Sequence, residues 1–469
     1  MSRITVPTWE HQDRLVAFAL QQFELWGYAH WQAGCSVGKT LSALKLATNY
    51  KRTLVLTVKN AISNAWLADI NSKTEGFYVI APSEGSVEKR QETIMAELLN
   101  NTDKQCIVII NYEAAVRMGI QGIRIMSFDF VVADEIHKLK SHDSKQSKEL
   151  ALACERIKHK LGMTGTSWND RPTDIFGQFR FYTPRLVWSG KKQQLWSGLL
   201  GSWYAFFERY VIYRLWEKIK IPVGYKNLDQ LGKLIDPHIF YLRTEDAREL
   251  PPVQHIDIKI PMSAEMKRAY RQMENDMIST FGKQLMVADC ALACATRLHQ
   301  LTSGTWTDTD LKELYDLEGG SPKTEAALEI IENTDEPIVI FTRFKSDVLN
   351  LEAALDKAKI SHLKVVGGCS EADQWAHDDT RVLIANMSAG STALNLHKAR
   401  IGIYYSTGFS ASDYEQSLWR IRRPESDLNQ NIVYYHLMID GSVDVEIRSA
   451  IESKGATAEK LLKELKNRL

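Results

Sequence analysis

The sequence has no excess of either charge: 58 Lys and Arg balance 58 Asp and Glu over 469 residues. Bulk charge therefore gives no case for a polyanion-binding protein, and any basic surface has to be local. Cysteine is sparse, with residues at 35, 106, 154, 290, 294 and 369 and no CxxC pair. That pattern argues against a zinc ribbon or a disulfide framework. Cys35, Cys106 and Cys369 lie within or beside apolar segments and read as buried, reduced thiols. No apolar run approaches membrane-spanning length, and Met1 to Gln12 is not a signal peptide. No membrane partner is expected. Short-period repeats and low-complexity tracts are missing too. What is present is ordinary for globular enzymes: 44% hydrophobic and 25% charged residues, enough chain for two or three domains with sizeable cores.

Short runs rich in Val, Ile and Leu punctuate the first part: Thr53–Val58, Cys106–Asn111, Phe128–Ala133 and Lys160–Thr164. Each is too short for a helix and reads as a buried parallel strand. Helical patterns such as Leu41–Tyr50 and Val87–Leu99 fall between them. The rhythm returns at Pro337–Thr342, His362–Val366, Arg381–Asn386, Ile401–Ser406 and Asn431–Met438. Alternation of this kind implies βαβ units and doubly wound sheets. The expected fold is α/β, two RecA-like parallel-sheet domains at 1–185 and 321–469 with a helical insertion and linker at 186–320. The insertion is dense in aromatics, from Trp188 and Trp196 through Trp203, Tyr204, Phe206, Phe207, Tyr210 and Tyr213 to Trp216. Core packing is the favoured use of these rings, with base stacking as the alternative. Lys218, Lys220, Lys226 and Lys233 follow, as phosphate contacts or as a solvated face. The tail from Asp444 reads as amphipathic helix.

Ala33-Gly34-Cys35-Ser36-Val37-Gly38-Lys39-Thr40 opens a helical run and ends in the demanding part of a phosphate loop. Amides at a helix N-terminus cradle phosphates. Lys39 would neutralise the β- and γ-phosphates of ATP, and the Thr40 hydroxyl would hold Mg2+. The strand Phe128–Ala133 then runs directly into Asp134-Glu135-Ile136-His137. Ligands of α/β folds bind at the carboxyl ends of strands. Asp134 would hold the metal through water, and Glu135 would orient and deprotonate the attacking water. Taken alone, the pair is equally an acidic helix start; the upstream loop favours the catalytic reading. Met163-Thr164-Gly165-Thr166-Ser167 follows another strand. There, Thr164 and Thr166, with His137, are coupling candidates, although in isolation this pattern is a turn. Arg420 and Arg423 are three residues apart, hence on one face of a helix. They suit an arginine-finger role from a second domain, or else form an exposed basic helix.

In this order and spacing, the elements resemble helicase superfamily two, and within it the Swi/Snf-type double-stranded DNA translocases. The resemblance spans nearly the whole chain. Asp134-Glu135-Ile136-His137-Lys138-Leu139-Lys140, an acidic box with a basic extension, is its most specific part. Leu54 to Val58 with Trp66, Leu242-Arg243, Glu249-Leu250-Pro251-Pro252 with Tyr270, Arg297 to Gln300, and Leu394-Asn395-Leu396 fit further family blocks. The resemblance implies that Gln12 contacts adenine and that Gln416 joins Arg420 and Arg423 in completing the ATP site. It also makes Thr57, Lys59, Asn111, Tyr112, Phe341, Thr342, Ser388 and Asn395 contacts to the DNA backbone. Ser36 and Ala393 stand where the family has glycine, and Pro424 breaks the run after the last arginine.

ATP hydrolysis coupled to tracking on duplex or branched DNA, with remodelling of replication or recombination intermediates, is the implied activity. The alternatives are a nucleotide-gated DNA clamp or adaptor with weak ATPase, and an RNA-directed helicase. The chain carries no bromodomain, chromodomain or zinc finger. That compactness favours a phage or bacterial enzyme in the bacterial cytoplasm or an infected host cell.

Overall fold

A computed structural model describes residues 2–165, 172–189, 192–216, 219–281, 288–307, 314–317, 319–367, 369–387, 396–423 and 426–452. The chain divides into two compact units, Met1–Arg248 and Glu249–Leu469.

The first unit is built on a seven-stranded parallel sheet. From one edge to the other its strands begin at Ile239, Tyr28, His159, Phe130, Arg52, Gln105 and Phe77. Side chains alternate between two apolar layers. Cys106, Val108 and Ile110 enter one layer, while Ile107 and Ile109 enter the other. Both faces are covered, so the strands read in sequence as unbroken apolar runs rather than as alternation. The strand Tyr28–Ala33 looks weakly apolar in sequence, yet Tyr28, Ala29, His30 and Trp31 are buried. Its histidine is partnered: His30 Nδ1 lies 3.0 Å from the Tyr182 hydroxyl. Burial pushes the His30 imidazole down to about 3.

The register aligns the C-terminal ends of the strands. Leu242 pairs with Ala33, Gln32 with Thr164, Met163 with Asp134, Ala133 with Leu56, and Thr57 with Asn111. The phosphate loop, the acid pair and the Thr164 turn therefore emerge along one edge of one sheet.

The second unit repeats the plan. Its sheet runs from Val253–Ile260 through the strands beginning at Ile432, Ile401, Ile338, Val382 and His362, all parallel, to the short antiparallel Cys369–Ser370. Two apolar clusters again cover its faces, with Val339 and Phe341 in one and Ile338 and Ile340 in the other.

The stretch 186–320 is mixed rather than wholly helical, with the helices Ala264–Phe281 and Ala288–Thr302 in its second half. It contains two antiparallel hairpins, Pro184–Ser189 with Lys192–Ser197 and Val211–Trp216 with Ile219–Tyr225. The helices Trp203–Tyr210 and Leu228–Ile235 accompany them. The stretch then supplies an edge strand to each sheet, Ile239–Leu242 to the first and Val253–Ile260 to the second. β-Branched and aromatic residues crowded between tight turns favour hairpins over helix. The thiols also differ from the sequence reading. Cys106 and Cys154 are buried, but Cys35 and Cys369 are only half-buried. No helix among the described residues is long and apolar enough to cross a membrane.

Candidate nucleotide site

The phosphate loop joins the strand Tyr28–Ala33 to the helix Lys39–Ala47. Two of its residues take left-handed backbone, Ser36 at φ 57° and Gly38 at φ 78°. Serine thus adopts the conformation that glycine adopts freely, at a cost of about 1–2 kcal/mol. Gly38 has a second constraint, since a Cβ there would lie 1.9 Å from Gln12 Nε2. Gln12 is buried, and its Oε1 accepts from the Trp9 amide at 2.9 Å. His11 Nε2 lies 3.0 Å from the Val37 carbonyl oxygen. The first turn of the helix Glu10–Trp26 therefore braces one side of the loop. On the other side the Gly34 amide donates to the Leu242 carbonyl, and the Thr244 hydroxyl donates to the Cys35 carbonyl, each at 2.8 Å. Lys39 Nζ donates to the carbonyl oxygens of Ala33 at 2.7 Å and Gly34 at 2.6 Å. Its ammonium is held by the loop that would wrap a phosphate, and those carbonyls occupy donors that phosphate oxygens would take. Thr40 is half-buried in the first turn of the helix.

Asp134 ends its strand beside this loop. Thr57 Oγ1 at 2.8 Å and Trp66 Nε1 at 2.9 Å both donate to its Oδ2, and the Tyr112 hydroxyl donates to its main-chain oxygen at 2.7 Å. Burial and then the charge of Glu135 raise the Asp134 carboxyl, and the Trp66 and Thr57 bonds only partly offset them. Glu135 sits in left-handed backbone at φ 56°, ψ 52°. Burial pushes its carboxyl up as well, but His137, Lys39 and Lys138 outweigh burial and hold it below the usual range. His137 Nδ1 lies 3.1 Å from Glu135 Oε2 and 3.2 Å from Thr164 Oγ1. The first unit thus brings together Gln12, the loop 33–40, Asp134, Glu135, His137 and Thr164. Thr166 lies outside the described residues.

The expected DNA contacts divide differently. Thr57 and Tyr112 are buried, and their hydroxyls are committed to Asp134. They position the acid rather than present a surface. Asn111 is half-buried and caps the following helix by accepting from the Ala114 amide at 3.2 Å. Lys59 is exposed. In the second unit Phe341 and Thr342 are fully buried within the sheet, so neither side chain reaches a DNA backbone. Ser388 and Asn395 lie outside the described residues, as do Ala393 and Pro424. The helix Ala411–Ile421 carries Gln416, half-buried, and Arg420, buried. Arg423 lies two residues past the helix end, so the two arginines do not share a helical face. A residue preceding proline is disfavoured in α conformation, which accounts for the early stop.

Two residues have roles here that the sequence did not assign to them, although Trp66 fits a family block. Trp66 is buried 68 positions from the aspartate it bonds. Thr244 follows the edge strand that ends at Leu242, and only the pairing of Leu242 with Ala33 places it on the phosphate loop.

A parallel sheet with a phosphate loop, a half-buried Asp–Glu pair and a His–Thr contact along one edge defines a P-loop nucleoside triphosphatase of the helicase class. The family model of the SNF2-related domain matches residues 24–306. The chain belongs to that family, the Swi/Snf-type branch of helicase superfamily two, whose members are DNA-dependent ATP hydrolases. Among its relatives, "Putative protein p41" of Acyrthosiphon pisum secondary endosymbiont phage 1 is 22% identical, over 93% of this chain and 94% of that protein. "Putative ATP-dependent helicase/translocase YwqA" of Bacillus subtilis is 25% identical over 70% of this chain and 35% of its own length. "DNA annealing helicase and endonuclease ZRANB3" of Homo sapiens is 21% identical over 87% of this chain and 36% of its own length. The chain therefore spans nearly all of the phage relative but about a third of the other two.

Proposed function

We propose that the protein hydrolyses ATP and uses the cycle to move along double-stranded or branched DNA, remodelling replication or recombination intermediates. The observation that carries this reading is the geometry of one sheet's carboxyl edge, where the phosphate loop holds the Lys39 ammonium, Thr57 and Trp66 hold the Asp134 carboxylate, and His137 lies against Glu135. Glu135, kept ionised, accepts the proton of the attacking water. Lys39 exchanges two loop carbonyls for phosphate oxygens. Gln12, over Gly38, reads the base. The Thr40 hydroxyl and Asp134 form a hard oxygen set that suits Mg2+, which would neutralise the phosphates. The contact of His137 with both Glu135 and Thr164 would pass the state of the acids into the strand His159–Thr164. Gln416, Arg420 and Arg423 would complete the site from the second unit, the two arginines supplying the charge. Lys59 and Asn111, together with Ser388 and Asn395, remain the proposed DNA backbone contacts, and such contacts carry little sequence information. The name of ZRANB3, a DNA annealing helicase and endonuclease, supports DNA as the substrate, and that of YwqA supports ATP-dependent translocation. The cytoplasm of a bacterium or of a phage-infected cell is the proposed setting.

The test is ATP turnover across single-stranded, duplex, forked and four-way-junction DNA, with Lys39→Ala and Glu135→Ala proteins beside the parent. Turnover should rise with DNA and vanish in both variants. Turnover that ignores DNA, or survives either substitution, defeats the reading.

A further inference from the structure

Between Asp174 and Glu208 the sequence has no acidic residue. That interval contains the hairpin Pro184–Ser189 with Lys192–Ser197, whose ladder ends on the pair Ser189 and Lys192. The hairpin segment, with its two connecting residues Gly190 and Lys191, carries Arg185, Lys191 and Lys192. It is a two-stranded sheet by itself, and an isolated pair of strands is at best marginally stable in water. Its stem is fastened accordingly. The Gly198 amide donates to the Thr183 carbonyl at 2.6 Å, and Ser197 and Gly201 exchange amide–carbonyl bonds at 3.0 and 2.9 Å. Pro184 and Ser197 at the base are buried, whereas Arg185, Leu186, Trp188, Gln193 and Gln194 further out are exposed.

Trp188 is 71% exposed, more than any other large apolar side chain among the described residues. The core needs nearby are met by other rings. Phe206 and Tyr210 are buried, and Trp203 stacks on His142 with centroids 3.7 Å apart. An exposed indole, close in sequence to exposed Arg185, on a hairpin whose sequence holds three cations and no acid complements a polyanion that presents flat rings. Paired bases hide those rings inside the duplex, whereas unpaired bases offer them. We propose that this hairpin is a stacking finger for unpaired bases at a DNA branch, with Trp188 as the platform. The proposal rests on the DNA-motor reading and narrows its substrate to DNA with splayed or single-stranded arms. The finger is also placed to sense the nucleotide. Its stem follows the helix Asp174–Tyr182, whose buried Arg180 donates from Nη1 to the His142 carbonyl at 2.7 Å and from Nη2 to Ser147 Oγ at 2.9 Å. The same helix packs on the turn Ile136–Leu139 that directly follows Glu135.

The test uses a forked DNA with 2-aminopurine in the unpaired arm next to the branch, and a blunt duplex of the same length. The full chain should quench the 2-aminopurine by stacking. Trp188→Ala should lose the quench and weaken fork binding about tenfold, the scale of losing one stacked base. Blunt-duplex binding and duplex-stimulated ATP turnover should stay the same, and Trp188→Phe should recover most of the fork binding. Unchanged quenching in Trp188→Ala overturns the proposal, as does an equal loss on fork and blunt duplex. A parent protein that quenches the arm but shows no DNA-stimulated turnover keeps the finger and overturns the motor reading instead.

Discussion

The hydroxyl of Thr244 donates to the main-chain oxygen of Cys35 across 2.8 Å, joining positions 209 residues apart. With the bond from the Gly34 amide to Leu242, it makes the edge strand Ile239–Leu242 a wall of the phosphate loop. Thr244 is buried, so its hydroxyl is not exchanged freely for water. Thr244→Val keeps the shape and removes the donor. We expect the KM for ATP to rise about fivefold, equivalent to the ~1 kcal/mol of one hydrogen bond, with kcat nearly unchanged. Thr244→Ser should retain the parent KM. Steady-state kinetics of the three proteins decide this, and an unchanged KM in the valine protein would show that the bond does not shape the loop.

The aspartate of the acid pair is held at a cost to the fold. Burial and Glu135 raise the Asp134 carboxyl, so the folded chain binds that proton more tightly than the unfolded chain does. Stability from this group is present below its unfolded value of about 3.8 and is lost as pH climbs through the raised folded value. At neutral pH the full penalty applies. Asp134→Asn keeps an acceptor for Thr57 and Trp66 without the charge. It should abolish ATP turnover yet raise the melting temperature by several degrees at neutral pH, with the gain vanishing in acid. Glu135 has the opposite sign, since His137 and the two lysines hold it low. In His137→Asn the acid limb of the kcat profile should therefore move to higher pH. Scanning calorimetry across pH and a pH–rate profile measure the two effects. A destabilised Asp134→Asn protein would contradict the first, and an unmoved limb the second.

Gly177 lies inside a helix, where alanine ordinarily helps. Here a Cβ would come within 2.1 Å of the Leu139 carbonyl oxygen and 2.6 Å of that of Lys140. Both are main-chain atoms of the turn that leaves Glu135, so no side chain can swing away. Gly177→Ala should cost about 1–3 kcal/mol of stability, the range for overpacking, and should lower kcat more than it raises the KM for ATP. Denaturant titration and kinetics test it. A stabilised and fully active protein would mean that helix and turn separate easily.

The central strands are legible in the sequence because both sheet faces are covered. Cys106–Asn111 is apolar at successive positions, and the observed strand is Gln105–Asn111. Lys39, Asp134 and Glu135 are legible because their chemistry demands a loop and a strand end. The direction of a side chain at a strand end is not. Thr57 turns toward Asp134 because Leu56 pairs with Ala133 on the neighbouring strand, and no local pattern encodes that pairing. Trp188 and Phe206 are likewise two aromatics of one dense stretch, and only the hairpin geometry separates the exposed ring from the core ring. Thr244 depends on a contact made at the opposite end of the unit, which no window of sequence can contain.

The second unit contains a buried ion pair whose partners come from distant helices. Lys323 Nζ lies 2.7 Å from Asp444 Oδ2, and both residues are buried. The Thr302 hydroxyl at 2.9 Å and the Ile439 amide at 3.0 Å also donate to this carboxylate, and His299 Nε2 lies 3.4 Å from it. Burial pushes the Asp444 carboxyl up, but Lys323 and His299 outweigh burial and hold it below its usual range. A depressed carboxylate contributes stability above its unfolded value, and that contribution is lost as pH falls through the folded value. Lys323→Met strands the carboxylate and should destabilise the unit by about 3–5 kcal/mol at neutral pH, a loss that shrinks in acid as the stranded carboxyl takes up a proton. The double variant Lys323→Met with Asp444→Asn removes both charges and keeps an acceptor for Ile439. It should recover most of the loss, because a buried ion pair contributes far less than its broken half costs. Hydrogen exchange at the strand Ile432–Ile439 reports on this unit alone. If the double variant is as unstable as the single one, the damage comes from packing around Lys323 rather than from an uncompensated charge.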